Sequence, residues 1–212
     1  MGIRENLKRL KEDLPQQVEL IAVSKTKPIS DLLEAYDAGQ RAFGENKIQE
    51  MVTKWEQMPK DIQWHMIGHV QSNKVKYMAP FVHTIHAVDS IKLLKEIQKQ
   101  AARNERIINC LIQIRIAKEE TKFGLAASEL DSLLCQGKEM SNIVIKGLMG
   151  MATFTEDQSQ IRSEFKNLAD LYRKYSSFEV LSMGMSGDYD IAIEEGSTSI
   201  RVGSKIFGER NY

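Results

Sequence analysis

Cysteine is scarce in this sequence, with Cys110 and Cys135 as the only two among 212 residues. Neither has a second cysteine or a nearby histidine at metal-binding spacing, which excludes the usual cysteine-based zinc motifs. Cys110 lies in the apolar run "INCLIQI", and Cys135 follows "SLL" on a predicted helix. We therefore expect two buried or half-buried thiols in a protein of the reducing cytoplasm.

A net charge is also missing, because 29 basic residues cancel 29 acidic ones and the pI is near 6.9. Without a basic tract the sequence lacks the electrostatic signature of a nucleic-acid partner. It has no apolar run long enough to cross a bilayer, and residues 1–14 have the pattern of an amphipathic helix, not of a signal peptide. No apolar stripe is left unexplained, so we expect a monomer without nucleic-acid or membrane partners.

What the sequence does contain is a regular alternation of short β-rich runs and longer helical patterns. The predicted strands cover residues 18–24, 41–44, 63–68, 83–88, 107–116, 142–149, 178–183 and 198–203. The predicted helices include residues 30–39, 46–58, 90–104, 127–137 and 160–175. This order predicts an α/β fold, a single (β/α)8 TIM barrel over residues 1–212 with an N-terminal helix; a doubly wound open sheet is the alternative.

Strand parity makes a prediction about the lysine in "IAVSKTKPIS". Alternate strand residues share a face, so Val23 and Lys25 face the same side. If Val23 points into the barrel, Lys25 lies inside its carboxyl-terminal rim, where barrel active sites are found. Such a lysine can form a Schiff base with a carbonyl compound, or it can be an ordinary rim lysine. Lys27 has the same parity but lies beyond the strand, so its direction is not predicted.

The same reasoning applies to the long run "IINCLIQIRI". One face is apolar and suits packing under helices; its members are Ile108, Cys110, Ile112, Ile114 and Ile116. The other face would point into the barrel; its members are Asn109, Leu111, Gln113 and Arg115.

Two Gly/Ser loops come after the last two predicted strands, in "LSMGMSGDYDIAI" and in "STSIRVGSKIFGER" with Gly203-Ser204. Glycine lets backbone N–H groups approach an anion, and serine adds a hydroxyl donor. Barrel phosphate sites are frequently built from these two loops. The pair therefore predicts a phosphate site, although neither loop is a Walker or dinucleotide fingerprint.

A lysine amine beside a phosphate site is typical of two functions. One is a pyridoxal 5′-phosphate site, and the other is a Schiff-base aldolase acting on a sugar phosphate. Arg201 lies within the last strand, and a buried arginine needs an acceptor. A pyridine nitrogen would serve; the alternative acceptor is a carboxylate of "IEEG", residues 193–196.

The histidines give little support for a metal site. His83 and His86 are three residues apart in a strand pattern and should face opposite sides. His65 and His69 are four apart but lack an acidic partner at metalloprotease spacing. His65 could point into the barrel as a satisfied polar residue or as a cofactor neighbour.

Several stretches together resemble the pyridoxal phosphate homeostasis proteins, which are barrels similar to the N-terminal domain of alanine racemase. The matching stretches, which span nearly the whole chain, are "AVSKTKP" at 22–28, "FGEN" at 43–46, "WHMIGHVQSNK" at 64–74, "KFG" at 122–124, "GLM" at 147–149, "LSMGMSGD" at 181–188 and "GSTSIRVGSKIFGERNY" at 196–212.

The resemblance implies a fold type III barrel that carries pyridoxal 5′-phosphate as an internal aldimine on Lys25. It implies that Ser186, Gly203 and Ser204 hold the phosphate and that Arg201 faces the pyridine nitrogen. It further places four residues near the ring or the aldimine: Asn46, His65, Met149 and Ser182. Arg115 departs from the family, where asparagine is usual; its guanidinium could pair with the ring's phenolic oxygen or with Glu119 or Glu120.

The family's function implies a protein that holds the reactive aldehyde, passes it to apo-enzymes and turns over no substrate. The chain also ends directly after the last predicted strand, so we expect no additional β-domain to supply catalytic groups. The alternative is a small racemase or Schiff-base aldolase, for which Tyr189 or Tyr212 would supply the second group. A third interpretation is an interaction module whose cofactor is structural.

Overall fold

The computed structural model describes residues 2–117 and 123–209, and their strands close into a parallel barrel. The strands are β1 Glu19–Val23, β2 Ala42–Glu45, β3 Gln63–Met66, β4 Thr84–Val88, β5 Ile108–Gln113, β6 Ile143–Met149, β7 Val180–Met185 and β8 Ser199–Val202. They lie where the sequence predicts them, so the α/β barrel is confirmed and the open sheet is excluded.

The helices surround this barrel, and each predicted helix is present within a few residues. They are α1 Ile3–Asp13, α2 Ile29–Asp37, α3 Ile48–Gln57, α4 Val75–Met78, α5 Ile91–Arg103, α6 Leu130–Gly137, α7 Gln158–Tyr172, α8 Tyr189–Glu194 and α9 Ser204–Phe207. The N-terminal helix α1 is tied to α9, because the Asn6 side-chain amide donates to the carbonyl oxygen of Ile206 at 3.1 Å.

Closure of the barrel pairs its first strand with its last. β1 and β8 run parallel, with Ile21 opposite Arg201 and Ala22 opposite Val202. Leu20 and Ala22 belong to the core between strands and helices. Val23 lines a cavity at the carboxyl-terminal mouth, as the parity of β1 predicts.

The faces of β5 are also as predicted, but the strand is shorter. Leu111 packs inside the barrel against Ala87 and Met149. The opposite face belongs to the helix-side core, through Ile108, Cys110, Ile112 and Ile114. The strand ends at Gln113, before the predicted end at residue 116, and the next residues pair with Leu125, whose carbonyl oxygen accepts from the Arg115 N–H at 3.0 Å.

Irregular pairing in β4, β6 and β7 shifts the side chains of these strands. Cys110 of β5 pairs with Ile145 of β6, but the next residue, Leu111, pairs with Gly147, so Lys146 is an extra residue in β6. A bulge of this kind reverses the parity of the strand residues beyond it. Ile145 faces the helices. Met149, four residues later, would face them too in a regular strand, but the bulge turns it towards the barrel interior.

The two cysteines differ in exposure. Cys110 is buried, and burial raises the pKa of its thiol to about 12. Cys135 is exposed, contrary to expectation, because the helical period of α6 buries Leu130 and Leu133 and turns Cys135 outward. In the part of the chain that the structure describes, no helix has the length and apolar composition of a membrane span.

Gly147 is the position in the barrel where a side chain has least room. Its φ is +154°, and a Cβ atom built there would lie 1.9 Å from the carbonyl oxygen of Val180 on β7. We expect Gly147→Ala to lower the free energy of unfolding by about 2–4 kcal/mol, measured by urea denaturation, because backbone strain and a forced strand shift add. Gly187→Ala is the control, since nothing lies within 4 Å of its Cβ position. Equal stability of the two variants would contradict this account.

Candidate functional site

A cavity of about 520 Å³ opens at the carboxyl-terminal ends of the strands, and we call it the mouth cavity. It is lined by Val23, Lys25, Lys27, Asn46, Ile67, Met151, Ala152, Thr153, Phe154, Thr155, Ile161, Met185, Ser186, Gly187, Asp188, Arg201, Gly203, Ser204 and Gly208. The predicted site residues in this set are Lys25, Asn46, Ser186, Arg201, Gly203 and Ser204. The predicted residues outside it are His65, Met149 and Ser182.

The two lysines that come after β1 have different environments. Lys25 is half-buried and lines the mouth cavity, as strand parity predicts. Lys27 also lines it, but its ammonium donates to the carbonyl oxygens of Phe207 at 2.8 Å and Glu209 at 3.2 Å. The direction of Lys27 is therefore set by the last residue of α9 and by the segment after it.

The loops after β7 and β8 meet at one side of the cavity. The backbone N–H of Gly203 donates to Ser186 Oγ at 3.1 Å. Gly203 directly precedes α9, whose first N–H groups have no partner within the helix. A Cβ atom on Gly203 would lie 3.1 Å from the carbonyl oxygen of Val23, so the glycine lets this loop lie close to β1. Hydroxyl and N–H donors thus converge where a phosphate was predicted.

Arg201 forms the inner wall of the cavity and is 3 % exposed. It donates to Ser182 Oγ at 2.6 Å and to the carbonyl oxygen of Gly150 at 3.0 Å. Burial lowers the pKa of Arg201 to about 10, and nearby Asp188 acts in the opposite direction. The guanidinium therefore stays charged at neutral pH.

The alternative in which Arg201 pairs with a carboxylate of "IEEG" is wrong. Glu194 and Glu195 instead bind Arg162 on α7, at 2.5 and 2.8 Å. Those carboxylates lie on the helix side of the barrel wall, because α8 packs outside β7 and β8.

A chain of buried hydrogen bonds runs inward from Arg201. Because arginine only donates, Ser182 Oγ accepts from it, and the serine proton is available to His86 Nδ1, 3.1 Å away. His86 Nε2 lies 3.0 Å from His65 Nδ1. Burial lowers the pKa of both imidazoles, so both are neutral at neutral pH, and His65 Nε2 has no hydrogen-bond partner among the residues that the structure describes.

His65, Ser182 and Met149 are the residues predicted near the ring or the aldimine that do not line the mouth cavity. All three are buried in the barrel interior and none lines the mouth cavity. Strand parity selects the inward face of a strand, but it does not give the height along the barrel axis. These residues lie in a layer behind the wall that Arg201 completes.

His86 is a residue that the sequence did not single out. His83 and His86 were expected on opposite sides. Both lie beside His65, whose ring centroid is 5.3 Å from that of His83 and 5.2 Å from that of His86. His83 precedes β4, so strand alternation does not apply to it. Among residues 2–117 and 123–209, no cluster of histidine, cysteine or carboxylate side chains suits a metal ion.

Two further candidates lie away from the cavity. Arg115 is exposed beyond the end of β5 and is not part of the cavity lining, so strand parity does not extend to it. Its suggested partners Glu119 and Glu120 lie outside the described residues. Tyr189 is buried, and its hydroxyl accepts from Lys205 Nζ at 3.1 Å, away from the cavity lining. Tyr212 lies outside the described residues.

The opposite wall of the cavity comes from the loop after β6. Glu164 on α7 accepts from the backbone N–H of Thr153 at 2.7 Å and from its hydroxyl at 2.8 Å. The next residue, Phe154, is 97 % exposed at the rim. Of the four methionines in "LMGM" and "LSMGM", Met151 and Met185 line the cavity, whereas Met149 and Met183 are buried.

Comparison with known proteins places these features in a family. Residues 2–211 match the family model described as "Alanine racemase, N-terminal domain". The pyridoxal phosphate homeostasis protein of Aquifex aeolicus is 39% identical over 200 residues, 92% of this chain and 88% of that protein. The protein of the same name from Escherichia coli K12 is 37% identical over 206 residues, 93% of this chain and 88% of that one.

Solved structures agree. PipY of Synechococcus elongatus with pyridoxal phosphate bound has a TM-score of 0.91 and 34% identity, covering 98% of this chain and 100% of PipY. Alanine racemase of Clostridium difficile has a TM-score of 0.82 at 12% identity, covering 100% of this chain and 57% of the racemase. At that identity the likeness concerns the fold alone.

The buried imidazoles predict acid sensitivity. Burial lowers the pKa of His65 from 6.5 to about 3 and the pKa of His86 well below 6.5. The unfolded chain therefore binds protons that the folded chain does not. The free energy of unfolding should fall as the pH drops from about 6.5 towards 3, by about 1.4 kcal/mol per pH unit for each histidine.

We expect His65→Gln to reduce this slope by about 1 kcal/mol per pH unit between about pH 6 and pH 5, measured by urea denaturation. The control is Trp64→Phe, which alters the buried neighbour on β3 without removing a titrating group. It should lower the stability and leave the slope unchanged. A His65→Gln slope equal to that of the unmodified protein would contradict the assignment.

Proposed function

The chain belongs to the family of pyridoxal phosphate homeostasis proteins, and on that premise we propose that its mouth cavity binds pyridoxal 5′-phosphate as a Schiff base on Lys25. The bond would join Lys25 Nζ to the aldehyde carbon, and the aldehyde oxygen would leave as water. One observation carries the proposal: the half-buried Lys25 shares a cavity with the Ser186 and Gly203-Ser204 loops. When bound, the cofactor supplies an electrophilic aldehyde.

The side chains of the cavity suit this cofactor. The hydroxyls of Ser186 and Ser204 and the N–H groups at the start of α9 are donors for a phosphate. Arg201 can only donate, so it suits an acceptor such as an unprotonated pyridine nitrogen. Asn46 adds an amide to the same lining. The volume of about 520 Å³ is typical of small-molecule sites.

We assign an indirect role to the residues behind the wall. Ser182 accepts from Arg201, and His86 and His65 continue that chain, so these side chains hold the guanidinium towards the cavity. Met149 packs below them against Leu111 and Ala87. Ser182, His65 and Met149 would then influence the ring indirectly, through Arg201 and through packing.

The proposed role is to hold the cofactor and pass it to apo-enzymes in the cytoplasm, as a monomer and without turnover of a substrate. The name shared by the relatives supports this role. The cytoplasmic location is supported by the free thiols of Cys110 and Cys135. The racemase or aldolase alternative needs a second group over Lys25, and Tyr189 is not part of the cavity lining.

The first test is the visible spectrum of the purified protein after addition of pyridoxal phosphate, followed by borohydride reduction and peptide mass mapping. We expect a yellow protein with the label on Lys25, no label in Lys25→Ala, and an unchanged label in the control Lys27→Ala. A label on Lys27 would be consistent with the cavity as the binding site but would refute Lys25 as the residue that forms the Schiff base. A protein that stays colourless would refute the cofactor and favour an aldolase.

The phosphate role of the β7 loop predicts a selective loss of affinity. We expect Ser186→Ala to weaken binding of pyridoxal 5′-phosphate by about tenfold or more, since a hydrogen bond to a charged group contributes about 1.5–3 kcal/mol. Binding of pyridoxal, which has no phosphate, should be almost unchanged. The measurement is a titration of absorbance for both ligands. Equal losses for both would show that the serine acts elsewhere.

A further inference from the structure

The residue after Lys25 has an unusual backbone conformation. Thr26 has φ +64°, in the left-handed region that a β-branched residue rarely adopts. It lies in a turn closed by the backbone N–H of Lys27, which donates to the carbonyl oxygen of Ser24 at 3.1 Å. Strain of this kind persists only where the surrounding structure holds it.

Glu50, in the first turn of α3, holds this conformation. Its Oε1 accepts from the backbone N–H of Thr26 at 2.6 Å. The Thr26 hydroxyl donates to the carbonyl oxygen of Lys25 at 2.6 Å, which adds a second restraint on the same peptide. Glu50 is not part of the cavity lining, so any influence on Lys25 is transmitted by the backbone of the turn.

Lys54, four residues after Glu50 on α3, connects Glu50 to Ser24, where the turn around Lys25 begins. Its ammonium donates to Glu50 Oε1 at 2.7 Å and to the carbonyl oxygen of Ser24 at 2.8 Å. Its third bond goes to Glu45 Oε1 at 2.7 Å. An ammonium has three hydrogens, so all of its donors are engaged.

The acceptor of that third bond restrains the turn as well. Glu45 is fully buried at the end of β2, and its Oε1 also accepts from the Ser24 hydroxyl at 2.6 Å. Burial raises the pKa of Glu45, and the adjacent Lys54 cation opposes that effect. Ser24 and Thr26, the two neighbours of Lys25, are therefore both bound to one buried ionic cluster.

We propose that Glu50 and Lys54 form a clamp that sets the backbone of Lys25, so that its amine is directed into the mouth cavity before a carbonyl ligand arrives. The proposal rests on the proposed function of the cavity. Both are positioning residues, because they act through Ser24 and Thr26. A preset direction avoids the entropy of ordering the lysine at the moment of reaction.

The clamp predicts a defect that a change in backbone can repair. We expect Glu50→Ala to slow Schiff-base formation by about tenfold after pyridoxal phosphate is mixed with the apo-protein, followed by stopped-flow absorbance. Thr26→Gly alone loses the hydroxyl bond to the carbonyl oxygen of Lys25 but adopts the positive φ without strain, so we expect a smaller loss of rate than in Glu50→Ala. The double variant Glu50→Ala/Thr26→Gly should recover the rate of Thr26→Gly. Glu50→Gln, which keeps an acceptor for the Thr26 N–H, is the conservative variant and should lose less.

A second readout needs no cofactor. Competitive acetylation of the apo-protein with peptide mass mapping gives the reactivity of Lys25 relative to Lys27. We expect the ratio of Lys25 to Lys27 reactivity in Glu50→Ala to differ from that of the unmodified protein. In the double variant the ratio should return towards the value of the unmodified protein. The matched control is Glu129→Ala, which also removes a carboxylate that accepts a backbone N–H, that of Ala126 at 3.0 Å, and is not part of the cavity lining.

The outcomes separate this clamp from the proposed function. If the unmodified protein forms no Schiff base on Lys25, the proposed function fails and the clamp fails with it. If it does form one, and Glu50→Ala equals the unmodified protein in both rate and labelling ratio, the clamp alone is overturned. A slow Glu50→Ala that Thr26→Gly does not repair would indicate a purely structural role for the ion cluster and would also overturn the clamp.

Discussion

Pairing of β1 with β8 is the constraint on which the site depends. The two strands come from opposite ends of the chain, and their register places Ile21 opposite Arg201. The residues just beyond each strand then meet at one rim, so Lys25 and the Gly203-Ser204 turn line the same cavity. An open sheet of the same strands would leave β1 and β8 at separate edges, and Lys25 would not share a cavity with the Gly203-Ser204 turn.

Two buried cations stabilise this rim from different sides of the barrel wall. Arg201 is satisfied from the interior by Ser182 and Gly150, and Lys54 is satisfied from the helix side by two carboxylates and a carbonyl oxygen. A buried charge is costly unless it is paired and hydrogen-bonded, so each cation requires its neighbours in one arrangement. Lys25 lies between them. The rim is thereby preorganised, as the proposed Schiff-base site would require.

Much of the fold was accessible to sequence-based prediction, because hydrophobic periodicity is a local property. The strands appeared as β-branched runs, and the parity of β1 placed Lys25 at the mouth. The histidines show where that reasoning stops. Parity says which face a residue occupies, but irregular pairing in β4 resets it, and His86 joined the buried chain without any signal in its own neighbourhood.

The sequence by itself therefore determined the order of elements, the rim position of Lys25 and the two Gly/Ser loops, since each depends on residues close together in the chain. Only the tertiary structure decided how deep a residue lies in the barrel and which remote residues contact each other. It placed Met149 behind the cavity wall by means of a bulge in β6, and it brought Glu50 of α3 to the backbone of Thr26. Such contacts depend on distances between elements that are remote in sequence, and no local pattern encodes those distances.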